Sequence, residues 1–502
     1  MNAFINILIK ELMKSSCIYM FLGLIGLGLV SYSCEGFLDI EPQQSVSNET
    51  VYDSHSGVVN ALYGIYERIA GPQLYAGTSV FHSDLVGNSG ELSWIGTFLG
   101  YRQMNWKSMD PNDATITNKW LRSYQAIDMA NNVIENLEVV NEGDRARVEG
   151  EAKFLRGIIY FELVRFYALP YEFNQSNTQL GVPLVLTPTK SITNENLVSR
   201  ATVDAVYVQI LEDLNDAKTL LGGIGTTSGA NGGRATSTVA AAFLARVYLS
   251  MGNWEAAANE SNLVVSRFGG YAALHGDPRS AFNSDSYTSE DVFMINQNAQ
   301  SNAGQSNDGI TTFFASLPGL GRGDVYVSSS FFDLFESQDL RVQITDNPEI
   351  GSISDVPSML YVGVGTDAGN VMSSKWGKYD ANIPVIRLAE MILTRAEANF
   401  RNGSSIGAEP LADINAIRTR SNATALATLT LNDIRDERYR ELAFEGHKLH
   451  DLRRFRGSVV APSGSDWAGQ VLEWNDGRLV LPIPQRELDV NENLVQNDAY
   501  IN

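Results

Sequence analysis

Apolar residues recur at three- and four-residue spacing, which places them on one buried helical face, over nine stretches. These are Gly57–Ile69, Thr117–Leu137, Arg145–Ala168, Val203–Leu221, Thr236–Met251, Asn253–Arg267, Val385–Arg401, Pro410–Arg420 and Leu431–Phe455. Thr202 and Asp204 stand where a cap would open the fourth of these helices, and Asn432 with Asp433 where one would open the last. Glycines interrupt the pattern at Gly222–Gly233 and again at Gly269–Gly270. Two long regions, Gly71–Ile116 and Tyr271–Ala381, carry little helical pattern and many aromatic residues. Irregular stretches of that length inside a folded protein usually serve function. The pattern predicts a mainly α fold: a helical scaffold with a large irregular, loop-rich lobe.

A weak internal repeat refines the scaffold. Ala245-x-x-Tyr248-x-x-x-Gly252, followed by Trp254 and Ala257, has tetratricopeptide spacing, and Gly157-x-x-Tyr160 and Ala396 to Gly403 repeat parts of it. Small residues at these positions let antiparallel helices approach while large ones fill the groove between them. Tetratricopeptide-like helix pairs are therefore expected, with an ordinary helical hairpin as the alternative.

The N-terminus reads as an address. Ile18–Val30 is an apolar run of 13 residues, short of the roughly 20 a spanning helix needs. Lys14 precedes it, and the small residues Ser31 and Ser33 flank Cys34, as in a lipoprotein signal. Residues 1–33 are expected to be a signal peptide. Residues 34–50 would be a lipid anchor at Cys34 with an extended tether, and 51–502 a single domain. Within that domain the scaffold falls mainly in 51–70, 117–270 and 382–456, the ligand-binding lobe mainly in 71–116 and 271–381, and a closing segment in 457–502. The alternative is a plain signal peptide cut nearby, which leaves a soluble protein.

Composition narrows the chemistry. A net charge of −21 repels phosphate backbones, so nucleic acid is not an expected partner, while a neutral sugar is compatible. Cys17 and Cys34 are the two cysteines, so the folded body has no disulfide, no catalytic thiol and no cysteine metal site. His447-x-x-His450 has a metal-capable spacing but no evident acidic third ligand. The helix around it reads as scaffold: Leu442, Leu449, Leu452 and Phe455 form an apolar stripe, and Asp436/Arg440 and Glu445/Lys448 are spaced to pair. Gly319-x-Gly321-x-Gly323 completes no phosphate fingerprint, and no G-x-S-x-G, H-E-x-x-H or Walker motif occurs. No metal, cofactor or catalytic residue is expected. Sugar binding needs flat apolar faces together with amide or carboxylate groups that bond hydroxyls. The irregular regions supply Asp84, Asn88, Trp94 and Tyr101 in one, and Phe314 and Tyr326 in the other, with Arg322 or Asp324 as polar neighbours. Trp106 and Trp120, beside or within helical pattern, read as core. Trp94, between Gly90 and Gly96, fits a binding face and a core position equally well.

Several segments resemble the SusD/RagB family. They are Phe37-Leu38-Asp39-Ile40-Glu41-Pro42, the stretch Gly150–Gly157 with Tyr160-Phe161, Pro384–Ala398, Arg440–His447 with Asp451-Leu452-Arg453-Arg454, and Leu481–Leu488 with Asn491, Asn493 and Gln496. Departures occur at Tyr167-Ala168-Leu169-Pro170, which lacks a glycine common there, and at Glu492 and Asp498-Ala499, which replace the usual prolines and Pro-Gly. The resemblance implies four tetratricopeptide-like helix pairs backing an irregular lobe. It also implies a lipid-anchored, non-catalytic surface protein on the outer membrane. Such a protein acts as a lid on a SusC-like TonB-dependent transporter and delivers oligosaccharide to it. In starch-binding relatives part of the platform comes from the first irregular region, which puts Trp94 and Asp84 first among the candidates. The alternatives are a secreted α-helical glycoside hydrolase, a surface lipoprotein for peptide or another nutrient, and an adhesive protein that holds a partner in helical grooves.

Overall fold

The computed structural model describes residues 51–190, 193–222 and 233–501. The expected signal peptide, the Cys34 anchor, the tether and the middle of the Gly222–Gly233 break lie outside the described residues. Helices dominate. The principal ones are α1 (His55–Ile69), α2 (Thr78–Gly87), α3 (Leu99–Trp106), α4 (Ala114–Glu135), α5 (Glu142–Tyr167), α6 (Val203–Leu220), α7 (Ser237–Ser250), α8 (Trp254–Arg267), α9 (Leu388–Asn402), α10 (Pro410–Arg420), α11 (Leu431–Leu442) and α12 (Lys448–Arg454). Side-chain caps fix several starts. Thr202 Oγ1 accepts from Ala205 N at 3.1 Å to open α6, and Thr236 Oγ1 from Val239 N at 3.2 Å to open α7. Thr430, two residues before the expected Asn432, opens α11 through a reciprocal capping box with Asp433.

From α4 to α10 each helix packs on the next, the arrangement that stacked helix pairs require. Small residues sit where the repeat put them. A Cβ on Gly157 of α5 would lie 3.2 Å from Asp213 Cβ and Leu214 Cγ of α6, and Ala257, Ala258 and Ala398 pack together with Leu249. Buried arginine–carboxylate pairs tie the stack across its layers. Arg156 holds Asp213 at 2.9 and 2.7 Å, Arg246 holds Glu390 at 2.6 Å through each of two nitrogens, and Arg395 holds Asp413 at 3.0 and 2.6 Å. Two parallel N–H···O contacts fix orientation as well as distance.

Three local expectations are corrected. The Val385–Arg401 pattern begins as a strand, because Ile383–Arg387 pairs with Asp291–Ile295 before α9 starts. Leu431–Phe455 is two helices, broken at Ala443–His447. Phe444 takes φ +66 and Gly446 φ +80 there, and a Cβ on Gly446 would meet Val80 Cα at 2.8 Å. The break turns Glu445 onto Lys375 (2.6 Å) and Arg387 (2.8 Å), and Lys448 onto Glu91 (2.6 Å). The expected Glu445/Lys448 pair is therefore replaced; the expected Asp436/Arg440 pair, within α11, is also absent, with Asp436 bound to Arg435 and Arg440 to Glu437. Lastly, Gly71–Ile116 holds α2 and α3. Every residue of α2 is buried, including the polar Thr78, Ser79, His82, Ser83 and Asp84, so its polar positions do not mark a solvent face.

Strands are short. β1 (Leu92–Trp94) pairs antiparallel with β5 (Val325–Val327), β2 (Leu180–Pro183) with β3 (Arg200–Thr202), β4 (Asp291–Ile295) with β9 (Ile383–Arg387), and β10 (Ser458–Val460) with β11 (Val471–Glu473). β6 (Ile344–Thr345), β7 (Leu360–Val362) and β8 (Val371–Ser373) form a small three-stranded sheet.

Candidate functional site

The turn after α2 builds one edge of an open cleft of about 1090 Å³. Asn88 organises that turn. Its Nδ2 donates to Leu92 O and Asn105 Oδ1, both at 2.8 Å, and its Oδ1 accepts from Gly90 N (3.0 Å) and Leu92 N (3.2 Å). The turn delivers the chain into β1, whose register on β5 sets Ser93 opposite Tyr326 and Trp94 opposite Val325. Ser93 and Ser328 hydroxyls meet at 2.7 Å, and the amides of Ile95 and Gly96 both donate to Asp324 O. Gly96 has no room for a side chain, since a Cβ would come 2.6 Å from the Trp94 ring and 2.5 Å from Asp324 Oδ1.

Trp94 and Tyr326 both border the cleft, and so does Asn88. Adjacent register positions point to opposite faces of a ribbon, so the two rings contact different surroundings. Trp94 stands edge-on to Tyr101 and leans on Phe313, both at 6.2 Å, whereas Tyr326 packs against the Leu317–Tyr361–Met372 cluster. On the Trp94 side, α3 contributes Arg102 and Trp106, with the Arg102 guanidinium 5.0 Å above the Trp106 ring. Neither Arg102 nor Trp106 is a candidate from the sequence, where Trp106 reads as core; it lines the cleft instead. Their one sequence signal is i, i+4 spacing on a single helical face.

The opposite wall comes from the β10–β11 hairpin through Val460–Ser463, Ala468 and Gly469. Its tip is docked: Ser465 Oγ donates to Trp106 O at 2.6 Å and accepts from Trp467 N at 3.1 Å. Gly464, at φ +97, lies against the Trp106 ring. Trp467 beside it is 37% exposed, with Arg478 4.7 Å above its ring. Arg102 is the one charged residue on the cleft walls among the described residues. Aromatic edges, serine hydroxyls and amides make up much of the rest.

The other candidates lie elsewhere. Tyr101 is fully buried and donates to the Asp308 carboxylate; burial and that charge push its hydroxyl pKa far up. Phe314 is buried between Phe313 and Phe444. Arg322 pairs with the buried Asp324 and covers Phe98 at 4.3 Å. Asp84 lines a neighbouring cavity of about 450 Å³ that shares Asn88, Ser89 and Leu92 with the cleft. Burial raises the Asp84 carboxyl to about 8, against the opposing pull of Lys375 and Lys448, so at neutral pH it keeps its proton. His447 lies 3.9 Å from Glu390 while His450 meets the Phe166 ring at 5.1 Å, and burial lowers both imidazoles. No group of three or more His, Cys, Asp or Glu among the described residues is arranged to hold a metal. No helix among them is long and apolar enough to cross a membrane.

A family model described as "Starch-binding associating with outer membrane" matches residues 36–249, and the model of the SusD family matches residues 356–500. The chain is 25% identical over 537 residues to SusD-like protein P25 of Formosa agariphila, spanning 94% of this chain and 96% of that protein. It is 33% identical to the starch-binding protein SusD of Bacteroides thetaiotaomicron over 180 residues, which is 30% of this chain and 32% of that one. A crystal structure of a SusD superfamily protein from Bacteroides thetaiotaomicron superposes with a TM-score of 0.76 at 26% identity, covering 88% of this chain and 99% of that one.

Proposed function

Because the chain belongs to the SusD/RagB family, we propose that it captures oligosaccharide at the bacterial surface without transforming it. It then passes the sugar to a SusC-like TonB-dependent transporter of the outer membrane. Acylation of Cys34 and the tether after it would hold the domain at that membrane. Ligand bridging the domain and the barrel would favour the closed pair, and closure would commit the sugar to import.

The observation that carries the reading is the cleft between Trp94, Trp106 and the β10–β11 hairpin. It joins aromatic rings to hydroxyl and amide groups and has no carboxylate on its walls among the described residues. Rings suit the C–H face of a pyranose and the polar groups suit its hydroxyls. A retaining or inverting hydrolase places two carboxyl groups across the scissile bond, and this cleft offers no such pair. Trp94, Trp106 and Arg102 are the residues assigned to ligand, with Tyr326 at the far edge and Asn88 shaping the wall. Asp84 helps to build the adjoining cavity.

Calorimetry on the purified chain against α-glucan, β-glucan and pectic oligosaccharides tests this, alongside an assay for new reducing ends. Binding without reducing-end release supports capture. Turnover that one Asp or Glu substitution abolishes would establish the hydrolase instead. Retention of peptides and no glycan would move the ligand class.

A further inference from the structure

A second cavity, of about 350 Å³, lies where the last turns of α5 and α12 meet α9 and the turn between α7 and α8. Its walls carry Arg165, Arg401, Arg453, Arg454 and Arg456 against a single carboxylate, Glu172, in a chain of net charge −21. Some of that charge is spent. Arg165 pairs with Glu162, Arg401 and Arg454 share Glu397, which also lies 3.7 Å from Arg438, and Arg454 further holds Asp451 at 2.7 Å, itself shared with Arg438. Arg453 has no carboxylate among the described residues. Its guanidinium donates to the main-chain oxygens of Arg165 and Leu479. Arg165 Nε, Arg401 Nη2, Arg453 Nε and His450 Nε2 find no hydrogen-bond partner among the described residues.

This is a surplus of positive charge. The neighbours register it: burial and then Arg165 and Arg453 hold His450 well below its ordinary range, and burial followed by Arg165 brings Arg453 down to about 10. The deeper cations set the field. Contact would come from Arg456, which stands at the mouth 60% exposed, with the half-buried Arg401 behind it. Its partner Glu172 is 51% exposed at 3.4 Å, so the pair is weakly held and a bound anion can replace the carboxylate. Flat surfaces complete the cavity: Trp254 under Arg401 at 4.7 Å, Trp474 under Arg456 at 5.2 Å, and Tyr171 against Tyr207. Guanidinium groups bind planar and tetrahedral oxyanions through paired N–H donors, and the rings suit a compact ring body.

We propose that this cavity binds the carboxylate or sulfate group of an acidic sugar, separately from the Trp94 cleft. The sugar body rests on the glycan reading of the chain, whereas the anion requirement rests on the arginines alone. The test titrates the full chain at fixed ionic strength with glucuronate, glucose 6-sulfate, glucose and inorganic sulfate. At least one charged sugar should bind saturably, about tenfold or more tighter than glucose, and which one binds identifies the anion. Arg456→Glu should weaken it by about tenfold with the melting temperature unchanged and neutral-oligosaccharide binding intact. Trp94→Ala should leave it unaffected. Glucose binding as tightly as the charged sugars, or full binding in Arg456→Glu, overturns the proposal. Sulfate binding without either sugar rejects the saccharide part. Failure here with neutral glycan still bound at the Trp94 cleft leaves the capture reading standing, and the reverse result separates the two the other way.

Discussion

Glu441 belongs to the segment that resembles the family most specifically, and it sits at the centre of a buried ion network. Its Oε1 accepts from Arg387 at 3.2 Å and Arg420 at 2.5 Å, and its Oε2 from Arg341 at 3.2 Å. Arg341 continues to Asp339 and Glu437, and Arg387 to Glu290 and Glu445. The residue is 2% exposed, so none of these charges is repaid by water. Glu441→Gln keeps the shape, removes one negative charge and turns an amide N–H₂ towards guanidinium donors. Breaking one member of such a network costs about 3–5 kcal/mol, because the partners stay buried and under-compensated. Burial alone would raise this carboxyl, yet Arg420, Arg387 and Arg341 hold it well below the usual range. A depressed folded pKa means the stabilisation is present above the unfolded value near ~4.3 and is lost as pH falls towards the folded one. Urea unfolding followed by tryptophan fluorescence should therefore show the full loss at pH 7 and a shrinking one below about pH 4.3. Glycan affinity, measured where the variant is still folded, should be unchanged. A loss below about 1 kcal/mol at pH 7, or a folded variant that no longer binds glycan, would refute the assignment of this motif to the scaffold.

Trp94→Ala should lower glycan affinity about tenfold, or ~1.4 kcal/mol, by calorimetry. It should also cost about 1–3 kcal/mol of stability through the lost contacts with Tyr101 and Phe313. Ser465→Ala releases the hairpin tip from Trp106 O, so faster amide exchange at residues 462–469 and weaker glycan binding are expected together. Asp84 has a raised carboxyl, so the unfolded chain loses that proton first, and stability falls as pH climbs from ~4 to about 8. Asp84→Asn should accordingly raise the melting temperature at pH 8 and leave it nearly unchanged at pH 4.

Amphipathic helices of the scaffold, α6 among them, were legible from their period, and the longer buried ones, α5 and α7, from the length of their apolar runs. α6 opens at the expected Val203 under the expected Thr202 cap and ends within one residue of its predicted limit. α2 was not legible: it is short, and its buried polar residues Thr78, Ser79, His82, Ser83 and Asp84 blur the apolar period over Thr78–Gly87. The break at Ala443–His447 was hidden because its cause is distant in sequence. Lys375 and Arg387 draw Glu445 out of helical register, and Val80 leaves room at position 446 for glycine alone. The cleft was half visible. Asn88, Trp94 and Tyr326 stood out as polar and aromatic residues in irregular segments, and all three border it. Tyr101 and Phe314 gave the same signal from buried positions, since an irregular lobe of this size needs aromatic residues to fill its own interior. The facing wall, Val460–Ser463 with Ala468 and Gly469, is made of small and aliphatic residues whose role follows from where the hairpin docks.

The placement of charge ties these observations together. Several arginines are kept inside, where Arg156, Arg246, Arg341, Arg387 and Arg395 each hold a buried carboxylate. Exchanging such a pair for apolar residues would often be neutral or stabilising, so stability alone does not account for it. Bidentate pairs fix the register of one helix on the next, and the cleft depends on that register. Its walls come from α3, the β1–β5 ribbon and a hairpin more than three hundred residues after α3 in the chain. A shallow site of rings and hydroxyls gains little from each contact and cannot also bear the cost of ordering its own walls. A rigid, internally charged stack behind a nearly uncharged cleft meets that requirement: the walls are already ordered when the ligand arrives, and the few stacking contacts remain available for binding.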